Sequence, residues 1–221
     1  MSAAAFYPVG TPGQPWGPAE RAQWRALQHV QRRHAQDVLP RIEALAGTFE
    51  RIEYGSVSHD GEHWPLLALR SRAWDASLPA ALVTGGVHGY ETSGVMGALA
   101  FLETRAGGYA GRFNLLVVPC VNPWGYERIN RWNSDAVDPN RNFRQGGPAV
   151  EATALMALVA RWHGQFLVHV DLHETTDSDE TEFRPALAAR DGTAFTPGLI
   201  PDGFYLVDDS ANPQPAFQRD I

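Results

Sequence analysis

Three short apolar runs, separated by segments long enough for a helix, are the feature that most constrains the fold. They occupy residues 80–87, 115–118 and 166–170. Strands that are apolar along their whole length are typical of parallel sheets covered on both faces. Apolar segments with helical character, Ser93–Thr104 and 148–162, lie between them. The order predicts an α/β fold, a doubly wound and mainly parallel sheet with helices on both faces.

The residues before this unit predict an antiparallel addition to the sheet. Segments 49–59 and 63–71 alternate apolar and polar residues and meet around Asp60-Gly61, a pair typical of a tight hairpin turn. The sheet is therefore expected to be mixed. Residues 18–45 show helical spacing, with Pro40 expected to break or kink the helix.

Both ends of the chain are irregular in sequence. Glycine and proline interrupt residues 1–17, which predicts an irregular lead-in, and we expect residues 18–221 to form one domain. The tail from Asp177 onward is acidic, contains many prolines and glycines and has little periodicity. The N-terminus lacks the pattern of a signal peptide and no stretch has the length of a membrane span, so we expect a cytoplasmic protein.

Composition excludes several kinds of chemistry. All 18 basic residues are arginine, which excludes a P-loop lysine, a lysine Schiff base and a Ser-Lys dyad. The formal charge of −7 argues against nucleic acid or an anionic membrane as the main partner. Cys120 is the single cysteine, most simply a small apolar filler, so any metal site must use histidine and carboxylate. No G-x-S-x-G motif is present, which disfavours a serine hydrolase.

Histidine followed three residues later by an acid occurs three times. His34/Asp37 lies in the helical segment and His59/Glu62 spans the hairpin turn, so we expect both pairs to be surface groups. His88/Glu91 instead follows directly after a buried strand, at the sheet edge where open α/β folds bind ligands.

A third ligand is expected from the end of another strand, and His173 has that position after Asp171-Leu172. Two imidazoles and a carboxylate are a ligand set of catalytic zinc. The alternative is that His173 is a hydrogen-bonded core histidine and His88 a neighbour of a helix cap. Their combination with the stretch at 119–143 favours the metal site.

The stretch 119–143 is long, polar and rich in asparagine and arginine, and we expect it to be an irregular connection that carries function. It contains Asn-Pro-Trp-Gly-Tyr at 122–126, Asn-Arg-Trp at 130–132 and Asp-Pro-Asn-Arg-Asn-Phe at 138–143. Guanidinium groups bind carboxylates through paired hydrogen bonds, so the stretch suits an anionic ligand. Pairing of some of these arginines with nearby acids, to hold the loop in shape, is the other interpretation.

With His-Gly-Tyr-Glu at 88–91, the motifs at 122–143 and Asp-Leu-His at 171–173, the chain resembles the zinc metallocarboxypeptidase family. The resemblance spans His88 to His173 and implies an α/β/α sandwich with one zinc ion per chain, held by His88, Glu91 and His173. It also implies that Asn140 and Arg141 bind the terminal carboxylate of a peptide, and that Arg131 polarises the scissile carbonyl. Arg128 is the alternative to Arg131.

The resemblance also implies a catalytic glutamate about seventy residues after the third zinc ligand, where this sequence has no residue. We therefore expect the general base beyond Ile221 and the domain to be incomplete at its C-terminus. Glu174 is expected to point to the other side of the strand, and Glu180 and Glu182 lie in the acidic segment. Tyr205 matches the family's substrate-closing tyrosine only weakly.

Three functions remain open at this point. The motifs favour a zinc carboxypeptidase acting on a peptide with a free C-terminal carboxylate. Deacylases of N-acyl amino acids share the fold and the layout. A non-catalytic module that binds zinc and a carboxylate is the alternative from another class.

Overall fold

The computed structural model describes residues 7–200 and 203–221. Five strands form one sheet: β1 (Phe49–His59), β2 (Glu62–Ser71), β3 (Ala80–Gly85), β4 (Asn114–Val118) and β5 (Phe166–Leu172). Their order across the sheet is β1-β2-β4-β3-β5. The pairs β1/β2 and β2/β4 are antiparallel, whereas β3 pairs in parallel with both β4 and β5. The predicted mixed α/β sheet is confirmed.

The hairpin between β1 and β2 turns at Asp60-Gly61, as predicted. Both residues have positive φ, 48° at Asp60 and 79° at Gly61. This backbone matches the right-handed twist of the flanking strands and favours glycine. The pairing register runs from His59 opposite Glu62 to Phe49 opposite Ser71.

Eight α-helices occur in the described residues. They are α1 (Pro18–Ala26), α2 (His34–Asp37), α3 (Leu39–Ala44), α4 (Thr92–Thr104), α5 (Pro123–Arg128), α6 (Val150–Val159), α7 (Arg184–Asp191) and α8 (Pro215–Asp220). The helical segment predicted over 18–45, with a break or kink at Pro40, forms three helices, and the gap between Ala26 and His34 was not predicted. Pro40 lies in the first turn of α3, where its missing N–H costs nothing, and α2 ends before it.

Regular structure also appears in two segments predicted as irregular. Within 119–143, the Asn122 side chain accepts a hydrogen bond of 2.9 Å from Gly125 N, and Pro123 starts α5 behind this cap. A short 3₁₀ turn covers Pro139–Arg141. In the tail, a π-helical turn at Asp179–Phe183 leads directly into α7.

Helices cover both faces of the sheet because neighbouring residues of the central strands point to opposite sides. Leu115 and Val117 of β4 pack with apolar residues of α3 and α4, whereas Leu116 and Val118 pack with Leu155 of α6 and its neighbours. Every residue of β4 is buried. The edge strand β5 is covered less, with Leu167 and Val170 exposed. Because β3 and β5 pair in parallel, their carboxyl ends lie side by side.

A third cluster is built largely from tryptophan. Trp16, Trp24, Trp64, Trp124 and Trp132 are all buried in it. For Trp124 and Trp132 this places the rings in the core instead of in an open cleft. The cluster joins the N-terminal helix to the stretch after β4.

The irregular lead-in predicted for residues 1–17 is described only in part. Residues 7–17 contain no helix or strand, and residues 1–6 of the predicted lead-in lie outside the described residues. Within the part of the chain that the structure describes, none of the helices combines the length and the apolar character needed to cross a bilayer.

Candidate metal centre

The turn after β3 carries His88 and Glu91 and is held against α5 by a very close backbone approach. A Cβ atom on Gly89 would lie 1.9 Å from the carbonyl carbon of Gly125, so only glycine fits there. Asn122 N donates to Gly86 O at 2.9 Å and fixes the same turn. Glu91 is the residue that immediately precedes α4, and its N–H donates to His88 O at 3.2 Å.

A second close approach brings the end of β5 to this turn. A Cβ atom on Gly94 of α4 would lie 2.4 Å from Leu172 O, so α4 packs directly on the residue before His173. Glu174 strengthens the contact, since its Oε2 accepts hydrogen bonds of 2.9 Å from both the N–H and the hydroxyl of Ser93. Three side chains distant in sequence are thereby joined.

The structure brings together the three predicted ligands, His88, Glu91 and His173. Their ligand atoms, one per residue, all lie within 4.8 Å of one another. Nδ1 of His88 is 2.7 Å from Glu91 Oε1, and Nδ1 of His173 is 2.8 Å from the same oxygen. His88 and Glu91 are buried, whereas the side chain of His173 is 35% exposed, so the cluster opens to solvent on the side of β5.

The outer nitrogen of each imidazole faces a second carboxylate. His88 Nε2 is 3.1 Å from Asp138 Oδ1, and His173 Nε2 is 2.7 Å from Asp171 Oδ2. Thr84 donates to Asp171 Oδ1 at 2.6 Å and fixes that carboxylate. In metal sites, carboxylates in this position orient the ring and leave the inner nitrogen free for the ion.

The charges of the cluster follow from these contacts. Burial opposes ionisation of Glu91, but hydrogen bonds with His173 and His88 outweigh it and lower the pKa of the carboxyl. Burial likewise opposes ionisation of Asp138, yet His88 and Arg131 hold its pKa well below the usual range. Burial also disfavours protonation of His173, but its bonds to Asp171 and Glu91 raise its pKa to about 10. Ionised carboxylates thus surround the point on which the imidazoles converge.

These residues fit a divalent cation of the zinc type. The donor set is two imidazole nitrogens and one carboxylate, each imidazole has an outer carboxylate partner, and zinc sites with three protein ligands use this set. Without a cation, protonated His173 supplies the positive charge that the surrounding acids require. A cation takes that place once the imidazole is neutral.

Arg131 lies beside the cluster, joined to it through Asp138. Its Nε is 3.1 Å from Asp138 Oδ2, and its Nη1 is 2.8 Å from the hydroxyl of Tyr90. Burial raises the pKa of Tyr90, so the phenol stays protonated and donates to Asp179 at 3.1 Å. Arg131 is therefore held in one orientation by two acids and a phenol.

Arg128 lies elsewhere. It pairs with Glu62 at 3.2 Å and its guanidinium lies 4.5 Å from the centre of the Trp124 ring. Among the described residues it makes no hydrogen bond or ion pair with the cluster.

Asn140 and Arg141 follow Asp138 on the 3₁₀ turn. Asn140 N donates to Asp138 Oδ1 at 2.9 Å, which links the turn to His88. Arg141 is exposed and pairs with no carboxylate in the described part of the chain. It faces an open cleft that Arg131 and Asp138 also line.

Four side chains at the site were not predicted from the sequence to take part in it: Tyr90, Asp138, Asp171 and Asp179. Asp138 and Asp171 had a usable signal, since each stands in a polar motif that was already singled out. Asp179 had none, because it is one of several acids at the start of the acidic tail, with Asp177, Glu180 and Glu182 within three residues of it.

The structure corrects one expectation about the other histidine pairs. The expected surface position of His34 is wrong, because its side chain is buried at 2% exposure beneath α5. It stacks edge-on against Tyr126, and burial lowers its pKa to about 4. Glu62 of the second pair is partly exposed and binds Arg33 and Arg128.

The tail residues considered as a base or a closing group make contacts of their own. Glu180 binds Arg184 and accepts from Gly198 N, and Glu182 makes no hydrogen bond among the described residues. The Tyr205 hydroxyl contacts the hydroxyl of Thr175, two residues after His173.

The family described as "Protein of unknown function (DUF2817)" matches residues 61–182, more than half of the chain. No curated protein matches the chain. A candidate metallopeptidase from Shewanella denitrificans has a similar structure, with 25% identity and a TM-score of 0.53 over 62% of this chain and 51% of that one. A candidate carboxypeptidase A from the same species is 20% identical, with a TM-score of 0.52 over 62% of this chain and 38% of that one.

The chain thus spans about half or less of these solved structures. The matched family region contains the complete cluster of His88, Glu91 and His173. The neighbours are metallopeptidases and carboxypeptidases by name, and the shared architecture is that of carboxypeptidase A. The chain belongs to the DUF2817 family and has a carboxypeptidase A-like fold.

Proposed function

We propose that this protein is a zinc-dependent metallocarboxypeptidase that hydrolyses the bond next to a free C-terminal carboxylate. The observation that carries the proposal is the convergence of His88 Nδ1 and His173 Nδ1 on Glu91, with an outer carboxylate behind each ring. Zinc, when bound by these three residues, would supply Lewis acidity and activate water at neutral pH.

Arg131 would stabilise the negative charge that develops on the scissile carbonyl oxygen. Its anchoring by Asp138 and Tyr90 supports this role, because a donor fixed in advance needs no reorganisation during the reaction. Removal of one such donor commonly costs about 100- to 1,000-fold in kcat.

Asn140 and Arg141 would hold the terminal carboxylate of the substrate. Arg141 supports this role because its guanidinium is exposed and free of acidic partners in the described residues, and such a group binds carboxylate through two parallel hydrogen bonds. Asp138 connects this turn to the metal ligands, so carboxylate binding and the cluster share one support.

The carboxylates nearest the cluster, other than the ligand Glu91, already have partners, so we assign none of them as the general base. Asp138 and Asp171 are bound to the imidazoles, Glu174 to Ser93 and Asp179 to Tyr90. This pairing is the observation behind a second candidate, a module that binds zinc and carboxylates without cleaving them.

The test combines metal analysis with two classes of substrate. Purified protein that has never been exposed to a chelator is expected to contain one zinc ion per chain, whereas the H88A variant is expected to contain none. The matched control is H63A, because His63 is exposed and lies on β2, away from the cluster. Release of C-terminal amino acids from blocked dipeptides supports the peptidase, and hydrolysis of N-acyl amino acids alone supports a deacylase. Zinc binding without either activity supports the binding module, and absence of zinc refutes all three.

A further inference from the structure

An open cleft lined by four arginines lies next to the candidate metal centre. It has a volume of about 380 Å³ and is lined by Arg21 of α1, Arg131, Arg141, Arg190 of α7 and the acids Asp138 and Asp191, with apolar residues between them. Its size is that of a site for a small molecule. Asp138 and Arg131 form the wall that the cleft shares with the centre, since Asp138 also contacts His88.

The charges of the cleft do not balance. Arg131 is paired with Asp138, and Arg190 with its neighbour Asp191. Arg21 and Arg141 form no ion pair with any residue that the structure describes. Two guanidinium groups on one small cleft are therefore left to bind an anionic ligand.

The donors of Arg21 show how much of its guanidinium is free. Its Nη1 donates to the carbonyl oxygens of Asp135 and Ala136, at 3.0 and 3.2 Å. These bonds fix the guanidinium at the rim of the cleft. Its Nε and Nη2 make no hydrogen bond within the described residues, which leaves the pair of donors that a carboxylate takes.

We propose that the cleft binds an acidic amino acid with a free α-carboxylate, the residue that hydrolysis would release. Arg141 binds its α-carboxylate and Arg21 binds the carboxylate of its side chain. Aspartate or glutamate at the end of a peptide, or carrying an N-acyl group, presents this same pair of anions. The inference rests on the proposed function for the statement that hydrolysis releases this amino acid. Binding of the amino acid does not itself require cleavage.

The direct test is calorimetric binding of L-glutamate and L-glutamine to the zinc-loaded full chain. The two amino acids are products of either reaction and differ in one charge. We expect glutamate to bind about tenfold more tightly than glutamine. A tenfold difference in affinity corresponds to the lower end of the free energy that a hydrogen bond to a charged group contributes. R21Q is expected to bring glutamate to within about twofold of glutamine, because the charge that separates the two ligands then has no partner.

R25Q is the matched control for the structural part of Arg21. Arg25 is one turn further along α1 and also donates to the segment after Trp132, at 2.7 Å to Ser134 O, but it does not line the cleft. It is expected to keep the tenfold preference. Melting curves by circular dichroism establish that both variants are folded.

Two results would overturn the inference: equal binding of glutamate and glutamine by the wild type, or a preference that R21Q retains. Activity arms then identify the source of the acidic residue. Blocked dipeptides ending in glutamate are compared with those ending in glutamine, and N-acetylglutamate with N-acetylglutamine. A preference in binding without any hydrolysis supports the acidic site and contradicts the proposed function, so the two failures are separable.

Discussion

Replacement of Asp138 by asparagine is the perturbation whose consequences the structure defines best. Asp138 Oδ1 faces His88 Nε2 at 3.1 Å and accepts from Asn140 N at 2.9 Å, while Oδ2 accepts from Arg131 Nε at 3.1 Å. The amide of D138N can keep its oxygen on His88 and Asn140. Its NH₂ group then faces Arg131, where two donors oppose each other.

Two losses follow from this geometry. His88 loses the carboxylate that orients its ring, which lowers metal affinity by about 10- to 100-fold in related sites. Arg131 keeps Tyr90 and the Asp179 carboxylate at 3.5 Å but loses its strongest partner. An unmet donor in a buried place lowers the free energy of unfolding by about 1–3 kcal/mol.

The assay is competition for zinc against a chromophoric chelator, with urea unfolding of the metal-free protein in parallel. D135N is the control, because Asp135 lies in the same stretch but pairs with Arg25 with its side chain 61% exposed. An exposed pair of this kind contributes about 0–1 kcal/mol, and D135N is expected to bind zinc normally. Wild-type zinc affinity in folded D138N would refute the role given to Asp138.

Three further perturbations test other parts of the account. G89A places a Cβ atom 1.9 Å from the Gly125 carbonyl carbon, so urea unfolding is expected to show a loss above about 3 kcal/mol; a loss under 1 kcal/mol would contradict this packing. T84V removes the hydroxyl that donates to Asp171 and keeps the shape of the side chain, so zinc affinity is expected to fall about threefold to tenfold. T84S keeps the hydroxyl and is expected to restore the affinity. Equal zinc affinities of T84V and T84S would exclude a role for the hydroxyl. The pKa of His173 is raised from about 6.5 in the unfolded chain to about 10 in the folded protein, because the folded state stabilises the protonated ring. In metal-free protein this stabilisation is complete below pH 6.5 and is lost as the pH rises through 10. Melting temperatures of chelator-treated protein measured from pH 6 to pH 10 should therefore fall, and a flat or rising profile would contradict the pairing of His173.

The sheet could be predicted because its signals are local. Apolar runs define β3, β4 and β5, and Asp60-Gly61 defines the hairpin, each from a few consecutive residues. The two helices on opposite faces follow from the spacing between the runs. The strand bounds differ most from the predicted ones at β3 and β5. β3 ends at Gly85, before Gly86 with its φ of 61°, and β5 continues to Leu172.

The helical segment 18–45 and the stretch 119–143 were predicted less well for a related reason. Both lie against the tryptophan cluster, and packing on it decides where short helices begin and end. Asn122 and Pro123 are an N-terminal helix signal that could have revealed α5. The position of His34 beneath α5 could not be read from its neighbours in sequence, because a long-range contact with Tyr126 determines it.

The candidate site shows the same division. Strand ends indicated His88, Glu91 and His173, since topology places such residues at one edge of the sheet. The partners behind the rings depend on side-chain geometry, so Asp138 and Asp171 became recognisable only in three dimensions.

The most direct measurement of the central claim is a crystal structure with diffraction data collected at the zinc absorption edge. The account predicts one strong anomalous peak per chain, about 2.0–2.2 Å from Nδ1 of His88, Nδ1 of His173 and the carboxylate of Glu91. A zinc-loaded crystal with its anomalous peak elsewhere, or with His173 turned away from the ion, would contradict it.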